Sequence, residues 1–268
     1  MLLAKNCRPE HNIIATGSLR LGSLYEYRST YEDQIADRHE GRFSFFLDLG
    51  EEYELDKRWY NALFGSALYI GKCNKYPTFN PPGYSRVRWD EFTLVKELEH
   101  TARVKVKNLS MEREVFNSLI FCMSQVPDKG SANGLFPDYS DRWFVDAEDK
   151  DFISNALVRA VSKRIHESRA LGIHIIDPKI PLDRLMIGCR HGLVTYLPRL
   201  INMKDGNMIA LDRFMELCYE LEFYKPESYA HELEYRFSIF FVHEDRLVPL
   251  SLNSMIIEVP EIQRLVSV

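Results

Sequence analysis

The sequence is marked first by what it lacks. No apolar run approaches the length of about eighteen residues that a membrane-spanning helix needs. The apolar start of MLLAKNCRPEHN is too short for a secretory signal, so none is expected. The cysteines, Cys7, Cys73, Cys122, Cys189 and Cys218, are odd in number and widely spaced, and no Cys-x-x-Cys pair occurs. Neither a zinc site nor a disulfide framework is therefore expected, and no metal ligands are assigned. Reduced thiols and a cytoplasmic location fit that pattern. No charge sign dominates: the net charge of −5 gives no global pull towards nucleic acid. Internal repeats, low-complexity tracts and a convincing linker are all absent.

What is present is enough apolar material for a sizeable core. The 268 residues are 46% hydrophobic and 12% aromatic, and a charged fraction of 27% is ordinary for a folded chain. Strand patterns dominate. Leu19–Arg28 alternates apolar with charged residues and reads as a strand or two short ones, with Gly22 as a bulge or a close backbone approach. Strands are also expected at 42–49, 116–124, 173–176 and 184–189, with a last one near the C-terminus. Helical spacing marks 151–171, with Gly172 as its stop, and 211–221. A short helix fits 55–64. The reading is α+β: mixed, mostly antiparallel sheets with a few helices, in one domain spanning 1–268, with a candidate inserted lobe at about 51–115.

The segment that organises this reading is Tyr229–Asp245, YAHELEYRFSIFFVHED. Glu232, Glu234 and Arg236 alternate with Leu233, Tyr235 and Phe237, so an extended chain puts the three charges on one face. That face is either a solvated outer surface or the lining of a polar cleft. Buried charges require partners, and the connection carrying Asp37, Arg38, His39 and Glu40 supplies them. The Asp37–Glu40 turn is therefore expected to lie beside the Glu232–Arg236 strand.

A second pattern lies between Lys72 and Lys107, where eight basic residues face four acidic ones. Arg86 and Arg88, then Arg103, Lys105 and Lys107, alternate with apolar residues, and Tyr76, Phe79, Tyr84 and Trp89 are interleaved. Basic residues with aromatics can hold a nucleic-acid strand by phosphate contacts and base stacking. The same pattern also fits a basic edge strand protected against aggregation. Farther on, LFPDYSDRWFV reads as a loop whose aromatics, Tyr139 among them, form either a ligand platform or the loop's own packing. Cys189 and His191 in GCRHG invite comparison with a Cys/His nucleophile, which requires an electropositive setting. His166, beside the apolar stripe of the 151–171 helix, reads as packed or solvated.

Three segments, LRLGSLYEYR…IADRHEG, FCMSQ…LFPDYSD and FYKPESYAHELEYRF, resemble a broad family of uncharacterised bacterial and phage proteins. In that family an early Arg-bearing strand and an Asp–Arg–x–Glu–Gly turn accompany a late Glu–Tyr–Arg strand. A weaker similarity is to the ADP-ribosyltransferases, although the chain has neither a Ser–Thr–Ser strand nor a His–Gly–Thr start. That resemblance implies NAD as a substrate. Arg20 or Arg28 would bind its phosphates, Tyr139 would stack on nicotinamide, and Glu232 or Glu234 would stabilise the cationic transition state. Arg38, Glu40 and Arg236 complete the candidate cofactor-binding set. The corresponding function is an ADP-ribosyltransferase-like or NAD glycohydrolase-like protein, such as a toxin or phage-defence component acting on nucleic acid. The alternatives are a non-enzymatic nucleic-acid-binding or sensor protein, and a metal-dependent nuclease using Asp37, Glu40, Glu232 and Glu234.

Overall fold

The computed structural model describes residues 1–31, 36–65, 68–71, 79–204 and 207–268. Lys72, Cys73, Lys75 and Tyr76 of the basic stretch lie outside them. The fold is α+β, with mostly antiparallel sheets. It divides into two compact units. Unit 1 comprises residues 1–40, 116–197 and 225–268; unit 2 comprises 41–115 and 198–224. The 51–115 stretch thus falls within unit 2. None of the helices is long and apolar enough to cross a membrane, among the described residues.

Unit 1 is built on an eight-stranded antiparallel sheet. Its central path runs Asp141–Asp146, Leu2–Cys7, Leu119–Val126, Glu234–His243 and Met186–Leu193. Strand alternation gives the sheet two different faces. Leu119, Phe121, Met123, Tyr235, Phe237, Ile239 and Phe241 point to the apolar core. The helix Lys150–Ala170 covers that core with Ile153, Leu157, Val161 and Ile165, its expected stripe. The opposite face carries Cys122, Ser124, Glu234 and Arg236, paired in register as Ser124 with Glu234 and Cys122 with Arg236.

The sheet splits along one edge. Strand Leu119–Val126 pairs with Leu2–Cys7 only through Ser124–Val126. It pairs with Ser18–Ser23 only through Leu119 and Ile120. Phe121, Cys122 and Met123 lie between these pairings. The Lys5 ammonium reaches into the gap and donates to the Cys122 carbonyl at 2.8 Å. A backbone acceptor left by the diverging strands thereby acquires a donor, as a buried carbonyl requires.

Unit 2 has a four-stranded sheet, ordered Leu200–Lys204, Arg42–Asp48, Leu109–Glu114, Tyr84–Arg88, and a three-stranded one, ordered Gly50–Asp56, Thr101–Lys107, Glu91–Glu97. Its core is aromatic, with Phe45 and Trp59 packed on Phe214 of the helix Leu211–Tyr219 at centroid distances of 4.7 and 4.9 Å.

Several sequence expectations change. Leu19–Arg28 is not strand throughout: strand Ser18–Ser23 gives way to the helix Leu24–Ser29, because the Ser23 hydroxyl accepts from the Glu26 amide. Residues 173–176 form no strand. The late charged strand begins at Glu234, because Leu233 adopts a left-handed conformation at φ 50° that ends the extended chain. Glu232 therefore closes a 3-10 segment rather than joining the strand face. Asp141, Arg142 and Trp143 lie on a strand, not in the loop, and Trp143 is fully buried.

Candidate functional site: a polar cavity at the split of the sheet

The split opens into a cavity of about 230 Å³ within unit 1. Its wall includes Lys5, Asn6, Arg8 and His11 from the first strand and the turn after it, and Arg20 from strand Ser18–Ser23. Phe136 and Tyr139 contribute two aromatic rings, stacked at 6.0 Å. Glu40, Lys225, Glu232, Glu234 and Arg236 line it as well. The lining thus carries charges of both signs: Lys5, Arg8, Arg20, Lys225 and Arg236 against Glu26, Glu40, Glu232 and Glu234.

Glu40, Glu232 and Glu234 belong to a continuous buried chain of ion pairs. The Arg236 guanidinium donates through Nη1 to Glu40 at 2.8 Å and through Nε to Glu234 at 2.6 Å. Lys225 Nζ lies 2.8 Å from the second Glu234 oxygen and 2.7 Å from Glu232. All five residues are buried. The Asp37–Glu40 turn does lie beside the late strand, as expected. Arg28 Nε holds that turn by donating to the Glu40 carbonyl at 2.6 Å, while Tyr229 donates to the Ala36 carbonyl at 2.8 Å.

Three carboxylates against two cations leave one negative charge over when all are ionised. The protonation states separate accordingly. Burial pushes Glu232 up to about 7, against the pull of Lys225, and a hydrogen bond to Glu234 adds to the rise. Burial also opposes ionisation of Glu234, but Arg236 and Lys225 outweigh it and hold this carboxyl well below the usual range. Burial works against charge on Lys225 too, yet Glu234, Glu40 and Glu232 keep its pKa above the ordinary value. Two adjacent carboxyls pushed in opposite directions can act as one fixed anion and one proton carrier near neutrality.

This arrangement sets a pH dependence of stability. Glutamate ordinarily titrates at 4.5, and Glu232 does so at about 7 in the fold. Between those values the folded state holds a proton that the unfolded chain has lost. Stability is therefore expected to fall as pH rises from about 4.5 to about 7, then to level off. Glu232→Gln should remove that decline, seen as a melting temperature that no longer drops across this window.

The other sequence candidates are distributed unevenly. Tyr139 and Arg20 line the cavity, and Arg20 forms an ion pair with Glu26. Arg28 is outside the cavity lining and stacks on Tyr25 at 4.4 Å, with the structural contact to Glu40 given above. Arg38 is exposed and stands apart from the buried chain, because its turn directs Asp37 and Glu40 inward instead. Asp37 accepts from the His39 amide at 3.0 Å. The oxygen ligands of the metal reading thus face Arg236, Lys225 and a backbone amide; among the described residues no group of three or more His, Cys, Asp or Glu is arranged to hold a metal ion. Cys189 is no nucleophile candidate either: burial pushes its thiol up to about 11.

The basic strands lie in unit 2. Arg103, Lys105 and Lys107 do share one face of strand Thr101–Lys107, but this strand is central in its sheet rather than at an edge. Arg103 contacts Glu54 at 2.9 Å, and Lys107 contacts Glu51 at 2.9 Å and Glu91 at 3.4 Å. Arg86, on the edge strand Tyr84–Arg88, faces Glu112 at 3.6 Å, and Arg88 is exposed. The basic excess of 72–107 is offset by acids at 51–54, outside the counted stretch. Replacing Arg103, Lys105 and Lys107 together by Ala is accordingly expected to leave low-salt oligonucleotide binding unchanged, as fluorescence anisotropy would register. A steep loss would identify a phosphate contact.

Sequence reasoning gave no role to Lys225, Lys5 or Asn6, and reached Phe136 only as one of the aromatics of the 135–145 loop. Lys5 and Asn6 interrupt the apolar strand LLAKNC, and a charged and an amide residue inside a strand otherwise destined for the core were the available signal. No family model, no curated protein and no solved structure matches the chain.

Proposed function

We propose that unit 1 takes NAD as a substrate and cleaves its nicotinamide–ribose bond, in the manner of an ADP-ribosyltransferase or NAD glycohydrolase. The observation that carries this reading is the pair Glu232 and Glu234, with opposed protonation, lining one cavity together with Lys5, Arg8, Arg20 and the rings of Phe136 and Tyr139. NAD has the matching polarity: an anionic pyrophosphate and a cationic nicotinamide ring. Lys5, Arg8 and Arg20 suit the phosphates. Tyr139 and Phe136 offer ring faces to the base. Glu234, ionised throughout, opposes the positive charge that grows on the ribose as the bond breaks. Glu232, once deprotonated, accepts the proton of the attacking water or acceptor hydroxyl. A cavity of about 230 Å³ is smaller than typical small-molecule sites. It accordingly suits the nicotinamide–ribose half, with the rest of the dinucleotide over the rim at Arg8.

Melting temperature tests binding directly. A ligand that binds only the folded state at about a hundredfold its Kd adds roughly 2.7 kcal/mol. NAD is expected to raise the melting temperature in a concentration-dependent way. A rise with Mg²⁺ or with oligonucleotide, and none with NAD, would favour the nuclease or nucleic-acid-binding alternative.

A further inference from the structure

Asn6 is 4% exposed, and its side-chain nitrogen has no hydrogen-bond partner among the described residues. The orientation of its amide is fixed by chemistry. Arg142 Nε can only donate, and it lies 2.6 Å from Asn6 Oδ1, so the oxygen faces Arg142 and the NH₂ faces away. Arg142 is itself held by Asn133 Oδ1 at 2.6 Å.

Register gives the direction of the Asn6 side chain. Ala4 pairs with Ser124, and Ser124 pairs with Glu234. Two residues along its strand, Asn6 lies on that same face of the sheet. Asn6 and Glu234 both line the cavity. A buried amide donor left without an acceptor is costly and uncommon, and ligand sites are a recognised setting for one.

We infer that Asn6 is a specificity-determining residue whose NH₂ donates to an uncharged oxygen acceptor on the nicotinamide–ribose half of the substrate. This inference rests on the NAD reading above. The acceptor is either the carboxamide carbonyl or a ribose hydroxyl, which share the same chemistry. Cavities lined by charged groups bind by charge; a single oriented neutral donor adds discrimination between ligands of equal charge.

The test crosses substitutions at Asn6 with two ligands. Asn6→Asp keeps the shape and the acceptor for Arg142 but removes the donor and adds a charge, so neutral Asn6→Ala is measured beside it to separate the two. Kd is measured by calorimetry for NAD and for its analogue lacking the carboxamide group, with Asn6 intact and replaced, each in the Glu232→Gln background so that NAD is not consumed during the titration. A loss of affinity for NAD of about tenfold or more in both Asn6→Asp and Asn6→Ala supports the inference, and a loss confined to Asn6→Asp overturns it. If the loss disappears with the analogue, the acceptor is the carboxamide; if it persists with both, the acceptor is on the ribose. Asn6→Ser, which restores a neutral donor, should recover part of the affinity; a loss of equal size in Asn6→Ser would reduce Asn6 to a packing role and overturn the inference. Equal NAD affinity with Asn6 intact and with Asn6→Asp overturns it while leaving the NAD reading intact. Absence of NAD binding with Asn6 intact overturns both.

Discussion

Replacing Arg236 by methionine is expected to destabilise unit 1 by about 3–5 kcal/mol, or to leave it unfolded. The arginine is 1% exposed and lies between Glu40 and Glu234, which are equally sequestered. Methionine can fill much of the volume, but it leaves two buried carboxylates facing each other's charge without a cation between them. The penalty is theirs rather than the lost contact's. Glu40→Gln together with Arg236→Met should therefore be less damaging than the two single losses summed, by about 1 kcal/mol or more. Urea unfolding followed by circular dichroism measures both. The exposed pair Arg103–Glu54 gives the contrast: its side chains are 40% and 51% exposed, and removing it should have a far smaller effect, because solvent screens it. Equal effects at the two sites would mean that the buried chain is not organised by charge.

The second large effect is on turnover. Glu232→Gln is expected to cut nicotinamide release by about two orders of magnitude, the scale of losing one well-placed catalytic group. It should do so without unfolding the protein, because Gln resembles the protonated carboxyl that Glu232 carries below about 7. For the wild type, the rate should rise with pH through about 7 and then level, as Glu232 gives up its proton. In the variant that rise should vanish. Glu234→Gln is the less discriminating substitution. Arg236 and Lys225 both depend on the Glu234 carboxylate, so loss of activity there would be mixed with loss of fold.

Much of the fold could be read from local pattern. The helix at 151–171 declared itself by apolar spacing, the strand at 42–49 by its aromatic content, and the late strand within 229–245 by its β-branched and aromatic run. Charge matching correctly brought the Asp37–Glu40 turn to the late strand, since buried opposite charges must find each other. Legibility ended where local chemistry competed with alternation. Ser23 and Glu26 form a Ser-x-x-Glu helix start hidden inside an alternating run. Leu233 interrupts the charged face with a left-handed residue, which no propensity marks for leucine. The sheet split was not legible at all. It depends on which residues of Leu119–Val126 lose their neighbour, a property of long-range pairing. Its sequence trace is the lysine and asparagine of LLAKNC. The basic strand showed the opposite failure: a count over 72–107 could not include the glutamates at 51–54 that pairing brings across from it.

The most direct measurement is chromatographic analysis of NAD incubated near pH 7.5 with the folded wild type and with Glu232→Gln, with and without nucleic acid as an acceptor. The wild type should release nicotinamide, matched mole for mole by free or transferred ADP-ribose, and the variant should release about a hundredfold less. A folded wild type that leaves NAD intact under all of these conditions, or a Glu232→Gln variant that releases nicotinamide as fast as the wild type, would contradict the role given to the cavity and its glutamate pair.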